Sequence, residues 1–232
     1  MIESMTTEHS QLPLSIGLKD TATFENFYPV GNELVLQALQ QGNDAMLYLW
    51  GPAGSGKSHL LQALCHAMAA KGESHIYLPL RELVSLSPAL LEGLEQQALI
   101  AIDDIQAVAG QSAWEEGLFY LYNRVRDSGH RLVVSASGAP ASLGLGLPDL
   151  VSRLGWGPVF QLSALTDIEK RGALQLRAHR RGLEMGDEVA DYLLKRCPRD
   201  MDSLFNLLNR LDQASLAAQR RLTIPFVRQL LA

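Results

Sequence analysis

Eight consecutive residues have the types and spacing needed to hold a polyphosphate: Gly51-Pro52-Ala53-Gly54-Ser55-Gly56-Lys57-Ser58. The run fits G-x-x-x-x-G-K-[ST], in which glycines let backbone N–H groups turn inward around a phosphate with no Cβ in the way. Lys57 would neutralise charge on the β- and γ-phosphates of a nucleoside di- or triphosphate, ADP or ATP, and the Ser58 hydroxyl would ligate Mg2+. His59, the next residue, joins this candidate nucleotide-binding set. Further on, Leu99-Ile100-Ala101-Ile102-Asp103-Asp104 is an apolar run that ends in two carboxylates. Asp103 is the candidate metal ligand beside Ser58, and Asp104 the candidate base or orienter of an attacking water. Ser135 and Ser137 close another apolar run, where a polar side chain could feel a γ-phosphate or serve plain turn chemistry. Arg153, in Asp149-Leu-Val-Ser-Arg153-Leu-Gly-Trp-Gly157, reads by its spacing alone as a surface charge.

Such groups need a scaffold that brings strand ends together. Residues 45–50 form a short apolar run before the glycine-rich loop. Residues 58–70 place Leu60, Leu61, Leu64 and Met68 at helical spacing, closed by Gly72. Further strands are expected at 74–78, 98–102, 131–136 and, more weakly, 158–162, with helices between them, notably 114–127. This alternation implies an α/β fold, a parallel sheet flanked by helices. After Leu165 the strands stop. Thr166-Asp-Ile-Glu169 is a capping box opening a helix to about residue 181, ended by Gly182. Helices are expected at 187–196, 200–218, with Leu204, Leu207, Leu208 and Leu211 on one stripe, and 223–231, with Pro225 in the first turn. The expected organisation is an arm at 1–20, an α/β nucleotide-binding unit at 21–164 and a small all-helical lid at 165–232.

The chain has 232 residues, 47% hydrophobic and 19% charged, as an ordinary globular protein does. A formal net charge of −5 argues against strong direct binding of duplex DNA through a basic stripe. Cys65 and Cys197 lie far apart, without metal-ligand spacing, and read as reduced thiols. No apolar run approaches the ~20 residues that span a bilayer, and residues 1–10 lack an apolar signal core. The expected location is cytoplasmic, with no membrane partner. Within the arm, Gln11-Leu12-Pro13-Leu14-Ser15-Ile16 is an apolar island, either a strand laid on the domain or a peptide presented to a partner's groove.

Taken together these segments resemble the AAA+ family of P-loop NTPases, and within it the DnaA-like branch, over nearly all of residues 20–232. Phe24-Glu-Asn-Phe27-Tyr-Pro-Val-Gly31-Asn32 resembles the stretch that encloses the adenine there, which brings Phe27 into the nucleotide site. The Trp114-Glu-Glu segment ending in Tyr122-Asn123-Arg124, and Ser152-Arg153-Leu-Gly-Trp-Gly157, are similar to that branch's motifs in order. The resemblance implies that Arg153 is an arginine finger reaching into a neighbouring subunit's nucleotide site. DnaA carries an oligomerisation domain in front and a helix-turn-helix domain behind, whereas this sequence has a short arm and ends at Ala232. The arm's Gln11, Leu12 and Leu14, and the segment from Asp212 to Val227, are similar to the Hda family of DnaA-related regulatory inactivators. That resemblance implies binding of the DNA polymerase III sliding clamp through residues 11–16. It also implies stimulation of hydrolysis of DnaA-bound ATP, which blocks re-initiation of replication.

Two departures bear on this. The lid arginine that meets the γ-phosphate in DnaA falls at Asp202, and Arg199, one turn earlier, is a disfavoured alternative for that role. A carboxylate there fits a protein that holds ADP as a structural ligand and has little turnover of its own. The peptide reads QLPLSI where the family tends toward QLSLPL. A second reading is an ATPase with its own turnover, acting as a helicase loader or AAA+ motor. The sequence allows a homodimer or higher homo-oligomer.

Overall fold

The computed structural model describes residues 18, 22–42, 44–198, 200–218 and 221–231, with the backbone alone at 202, 217 and 218. The clamp-peptide residues Gln11, Leu12 and Leu14, the side chain of Asp202, and Arg199 lie outside the described residues. Five strands form one parallel sheet: β1 (Met46–Trp50), β2 (His75–Pro79), β3 (Leu99–Asp103), β4 (Arg131–Ala136) and β5 (Val159–Gln161), in the order β2-β3-β4-β1-β5. Parallel strands need crossovers, and helices α1 (Glu33–Gln41), α2 (Lys57–Ala70), α3 (Leu80–Leu83), α4 (Ser112–Ser128) and α5 (Pro148–Leu154) cover both faces.

Alternation along each strand divides the core into two layers. Leu47, Leu49, Leu99, Ala101 and Val133 pack with Val35 and Leu39 of α1 and Leu60, Leu61 and Leu64 of α2. Tyr48, Ile100, Ile102, Leu132 and Val134 face the other way, onto Leu118, Leu121 and Val125 of α4 and Leu150 and Leu154 of α5. Each such buried side chain stabilises the fold by about 1.5–3 kcal/mol before entropy is counted. Burial also pushes the Cys65 thiol up to about 12, which makes it an inert thiol within the α2 layer.

Element ends differ from the sequence reading by a residue or two, for local reasons. Gly56 sits at φ +93° as the residue before α2, so the helix starts at Lys57. α4 begins at Ser112 and runs to Ser128, where Gly129 turns left-handed at φ +73°. The four-helix segment comprises α6 (Asp167–His179), α7 (Asp187–Arg196), α8 (Met201–Ala218) and α9 (Ile224–Leu231). α6 stops at His179, before the expected residue 181, because the Leu183 N–H turns back to the Ala178 carbonyl. The capping box holds: the Glu169 N–H donates to Thr166 Oγ1 and the Thr166 N–H to Glu169 Oε2. Asp200 lies outside α8 and accepts from the Ser203 N–H, 2.7 Å. Leu174, Leu193, Leu204, Leu208 and Leu211 form a separate core for these helices. Helix α1 is absent from the sequence reading. Its last turn is held by Arg131 at the start of β4, whose guanidinium donates to the carbonyls of Ala38 and Leu39 at 2.9 Å.

Candidate functional site

Parallel strands deliver their carboxyl ends to one edge of the sheet, where ligands of open α/β folds bind. Trp50 is paired with Ala136 and Ile102 with Val134, so the Gly51–Ser58 loop, Asp103-Asp104 and Ser135–Ser137 emerge side by side. The loop is tightly seated. A Cβ on Gly51 would stand 2.5 Å from the Leu162 carbonyl oxygen, and one on Gly56 would meet the Phe27 ring at 2.6 Å. Gly54 (φ +75°) and Gly56 (φ +93°) take the left-handed backbone that an inward-turning loop requires. The first N–H groups of α2 have no partners within the helix, and its positive dipole end points to the same place.

Two observations show that the site suits a polyphosphate. Lys57, only 8% exposed, folds its ammonium over the loop and donates to the carbonyls of Gly51 (2.8 Å) and Pro52 (2.9 Å). Burial holds its pKa below the ordinary lysine value, while Asp104 and Asp103 pull it back up. Ser55, 4% exposed, has a buried hydroxyl with no hydrogen-bond partner. A buried ammonium satisfied only by carbonyls, beside an orphaned hydroxyl, is the arrangement an anion would complete. The stretch Phe24–Asn32 lies against the loop. The Phe27 ring is 5.8 Å from the His59 ring, and His59 Nε2 is 2.8 Å from the Thr23 carbonyl oxygen.

The acid pair is bound into a network. Asp103, 3% exposed, accepts from the Ser135 hydroxyl on one oxygen and from the Tyr77 hydroxyl on the other, 2.6 Å. Asp104 has φ +57°, which costs a non-glycine residue energy and turns its carboxylate outward. There Arg81 Nε (3.1 Å) and Gln106 Nε2 (2.8 Å) donate to it. Gln106 Oε1 in turn accepts from the Ser137 N–H, 3.1 Å. Of the two serines, the fully buried Ser135 meets the acid pair through its side chain, whereas the exposed Ser137 reaches it only by way of Gln106. Sequence reasoning missed Tyr77, Arg81 and Gln106. Among the described residues no group of three or more His, Cys, Asp and Glu could hold a metal ion. A cation here would therefore share Ser58 and Asp103 with the nucleotide's phosphates and water, the usual Mg2+ arrangement.

Arg153 ends helix α5 and stands apart from this network. Its guanidinium carbon is 3.8 Å from the centre of the Trp156 ring and 5.9 Å from that of Phe119 on α4. Its Nε is buried without a hydrogen-bond partner, and it makes no ion pair among the described residues. Helix α5 is aimed by Glu115, 1% exposed. That carboxylate accepts the N–H groups of Gly110 (2.7 Å), Gly146 (3.1 Å) and Leu147 (2.7 Å), the last being the residue before α5.

Comparison with known proteins agrees with this architecture. A family model described as the Hda lid domain matches residues 167–231, and one for the bacterial DnaA ATPase domain matches residues 87–161. A protein of Haemophilus influenzae, described as uncharacterized, is 46% identical over 228 residues, spanning 96% of this chain and 99% of that protein. Domain III of the Thermotoga maritima replication initiation protein DnaA superposes with a TM-score of 0.74 at 21% identity, covering 93% of this chain and 97% of that one. AMPPCP-bound DnaA from Aquifex aeolicus does so with a TM-score of 0.68 at 23% identity, covering 83% and 66%. The Thermotoga maritima Holliday-junction motor RuvB shares the fold at a TM-score of 0.59 and 19% identity, covering 87% and 65%. Among the described residues no helix is long and apolar enough to cross a membrane.

Proposed function

Because this chain belongs to the Hda-like, DnaA-related branch of the AAA+ proteins, we propose that it is a regulatory inactivator of the replication initiator DnaA. In this reading it holds a nucleotide in the Gly51–Ser58 loop and offers Arg153 to the ATP bound by DnaA. Arg153 carries the reading. A guanidinium stacked on aromatic rings, with no carboxylate partner among the described residues, keeps its charge for an outside partner. A developing negative charge on a transferred phosphoryl group is such a partner, and fingers of this kind accelerate hydrolysis by about 10^3–10^5.

The nucleotide is ADP, with Mg2+ on Ser58 and Asp103, Phe27 and His59 flanking the base side, and Ser137 near the terminal phosphate. Asp202 at the lid position disfavours a γ-phosphate, since like charges repel. Asp104, already engaged by Arg81 and Gln106, is not free to orient water. The bound nucleotide therefore supports a conformation more than a reaction. Gln11, Leu12 and Leu14 tether the protein to the sliding clamp on DNA. Residues 1–20 thus form an arm, 21–164 the nucleotide-binding unit and 165–232 the lid. Such work places the protein in the cytoplasm.

The test is hydrolysis of DnaA-bound ATP in the presence of DNA-loaded clamp. Arg153→Ala should lower the stimulation by about 10^3 or more while nucleotide and clamp binding persist; undiminished stimulation would reject the finger. The isolated protein should show little steady-state ATPase. Robust turnover that Asp104→Asn abolishes would instead favour a self-driven motor or helicase loader.

A further inference from the structure

Tyr77 is not used by the proposed function, yet its hydroxyl meets the candidate cation ligand Asp103. β2 is an edge strand of the sheet, and Tyr77 pairs with Ala101, two residues before the end of β3. The phenol is long enough to reach along the strand, and its hydroxyl donates to Asp103 Oδ2 at 2.6 Å. The other oxygen of Asp103 is held by Ser135, so the carboxylate is fixed at both ends. A phenol is protonated at neutral pH, so the Tyr77 hydroxyl serves as the donor in this bond.

Ser58 lies in the first turn of α2 and Asp103 ends β3, and the Tyr77 phenol on the neighbouring strand fixes the second of these candidate cation ligands. Mg2+ is intolerant of misplaced ligands, requiring near-octahedral geometry at about 2.0–2.1 Å. Outer-shell groups that orient metal ligands typically govern affinity by about 10- to 100-fold. We propose that Tyr77 is a positioning residue for a divalent cation bound with the nucleotide: it sets the orientation of the Asp103 carboxylate before the ion arrives. Each carboxylate oxygen has two lone pairs, so Asp103 can keep the phenol bond while it faces the ion or one of its waters. This rests on the nucleotide-binding reading above and adds the residue that makes binding responsive to Mg2+.

Tyr77→Phe keeps the ring and deletes only the hydroxyl. Affinity for a methylanthraniloyl-ADP probe is measured by fluorescence in EDTA and across an Mg2+ titration, for wild type and variant. The expected result is equal affinity in EDTA and an Mg2+ midpoint about 10-fold or more higher in the variant. An unchanged or lower midpoint overturns the assignment, as does a wild-type affinity indifferent to Mg2+. Failure of the wild type to bind the probe at all would instead sink the nucleotide reading, and this inference with it. Should Tyr77→Phe not fold, 3-fluorotyrosine placed at position 77 supplies a second readout. Its fluorine resonance should move when Mg2+ is added to the ADP-bound protein, and a resonance that stays put would overturn the proposal.

Discussion

At the scale of single residues, the arrangement around Arg153 separates orientation from neutralisation. A carboxylate partner would hold a guanidinium in place and also cancel its charge, whereas the face of an indole orients the group and leaves the charge available. Trp156 is 58% exposed, an unusual cost for so large an apolar surface unless it serves a contact. Cation–π stacking contributes about 0.5–2 kcal/mol depending on desolvation. Trp156→Ala should therefore lower the stimulation of DnaA-bound ATP hydrolysis by about 2- to 30-fold, with Trp156→Phe retaining most of it. Nucleotide affinity should not change, because the loop is seated on Phe27 and Leu162 and not on this turn. Full stimulation by Trp156→Ala would show that the stacking is incidental.

At the scale of elements, the aim of the proposed finger depends on one buried carboxylate. Glu115 lies in the first turn of α4, and the three N–H groups it accepts come from the turn before α4 and the turn before α5. It thus fixes where α5 begins, and Arg153 lies at that helix's far end. Glu115→Ala leaves three donors without an acceptor; a fully buried unsatisfied group costs about 1–3 kcal/mol, and these are only part-buried, so water lowers the cost of each. A loss of ~2–5 kcal/mol is expected, read as a lower urea midpoint at unchanged slope. Stimulation of DnaA-bound hydrolysis should fall in parallel; a midpoint equal to wild type would mean that water replaces the carboxylate. The phosphate loop and acid pair were legible in the sequence because their chemistry is local: the spacing of Gly51, Gly56 and Lys57 is itself the device, and Asp103-Asp104 follows a run too apolar to be anything but a buried strand. Helix α1 was passed over because its two buried residues, Val35 and Leu39, make a single contact stripe, and its last turn depends on Arg131, some 90 residues away. Tyr77, Arg81 and Gln106 were invisible for the same reason. Their roles exist only once β2 lies beside β3 in a register pairing Pro79 with Asp103, and no spacing along the chain encodes that neighbour.

At the scale of the whole molecule, the segment Phe24–Asn32 touches the loop, the sheet and the lid helices together. Phe27 lies on Gly56, and the Asn32 side-chain oxygen accepts from the Ser163 N–H at 3.1 Å. Tyr28 packs against the lid core so closely that a Cβ on Gly172 of α6 would stand 2.6 Å from its hydroxyl. The buried Asn32 Nδ2 has no hydrogen-bond partner, so this junction too holds a donor without an acceptor. A nucleotide seated between loop and segment would therefore brace two separate cores at once. A ligand that binds only the folded state stabilises by about 2.7 kcal/mol at 100 times its Kd. For a domain of this size that corresponds to a Tm rise of roughly 5–10 °C. Calorimetry with saturating ADP and Mg2+ should show this rise as one transition, because both cores report to the same segment. Tyr28→Ala severs the lid contact and leaves Phe27 on the loop. In that variant ADP should still raise the melting temperature of the sheet core, while the lid helices melt earlier in a transition that ADP no longer moves. A variant whose two cores still melt together, with the full ADP shift, would show that the coupling runs through another contact.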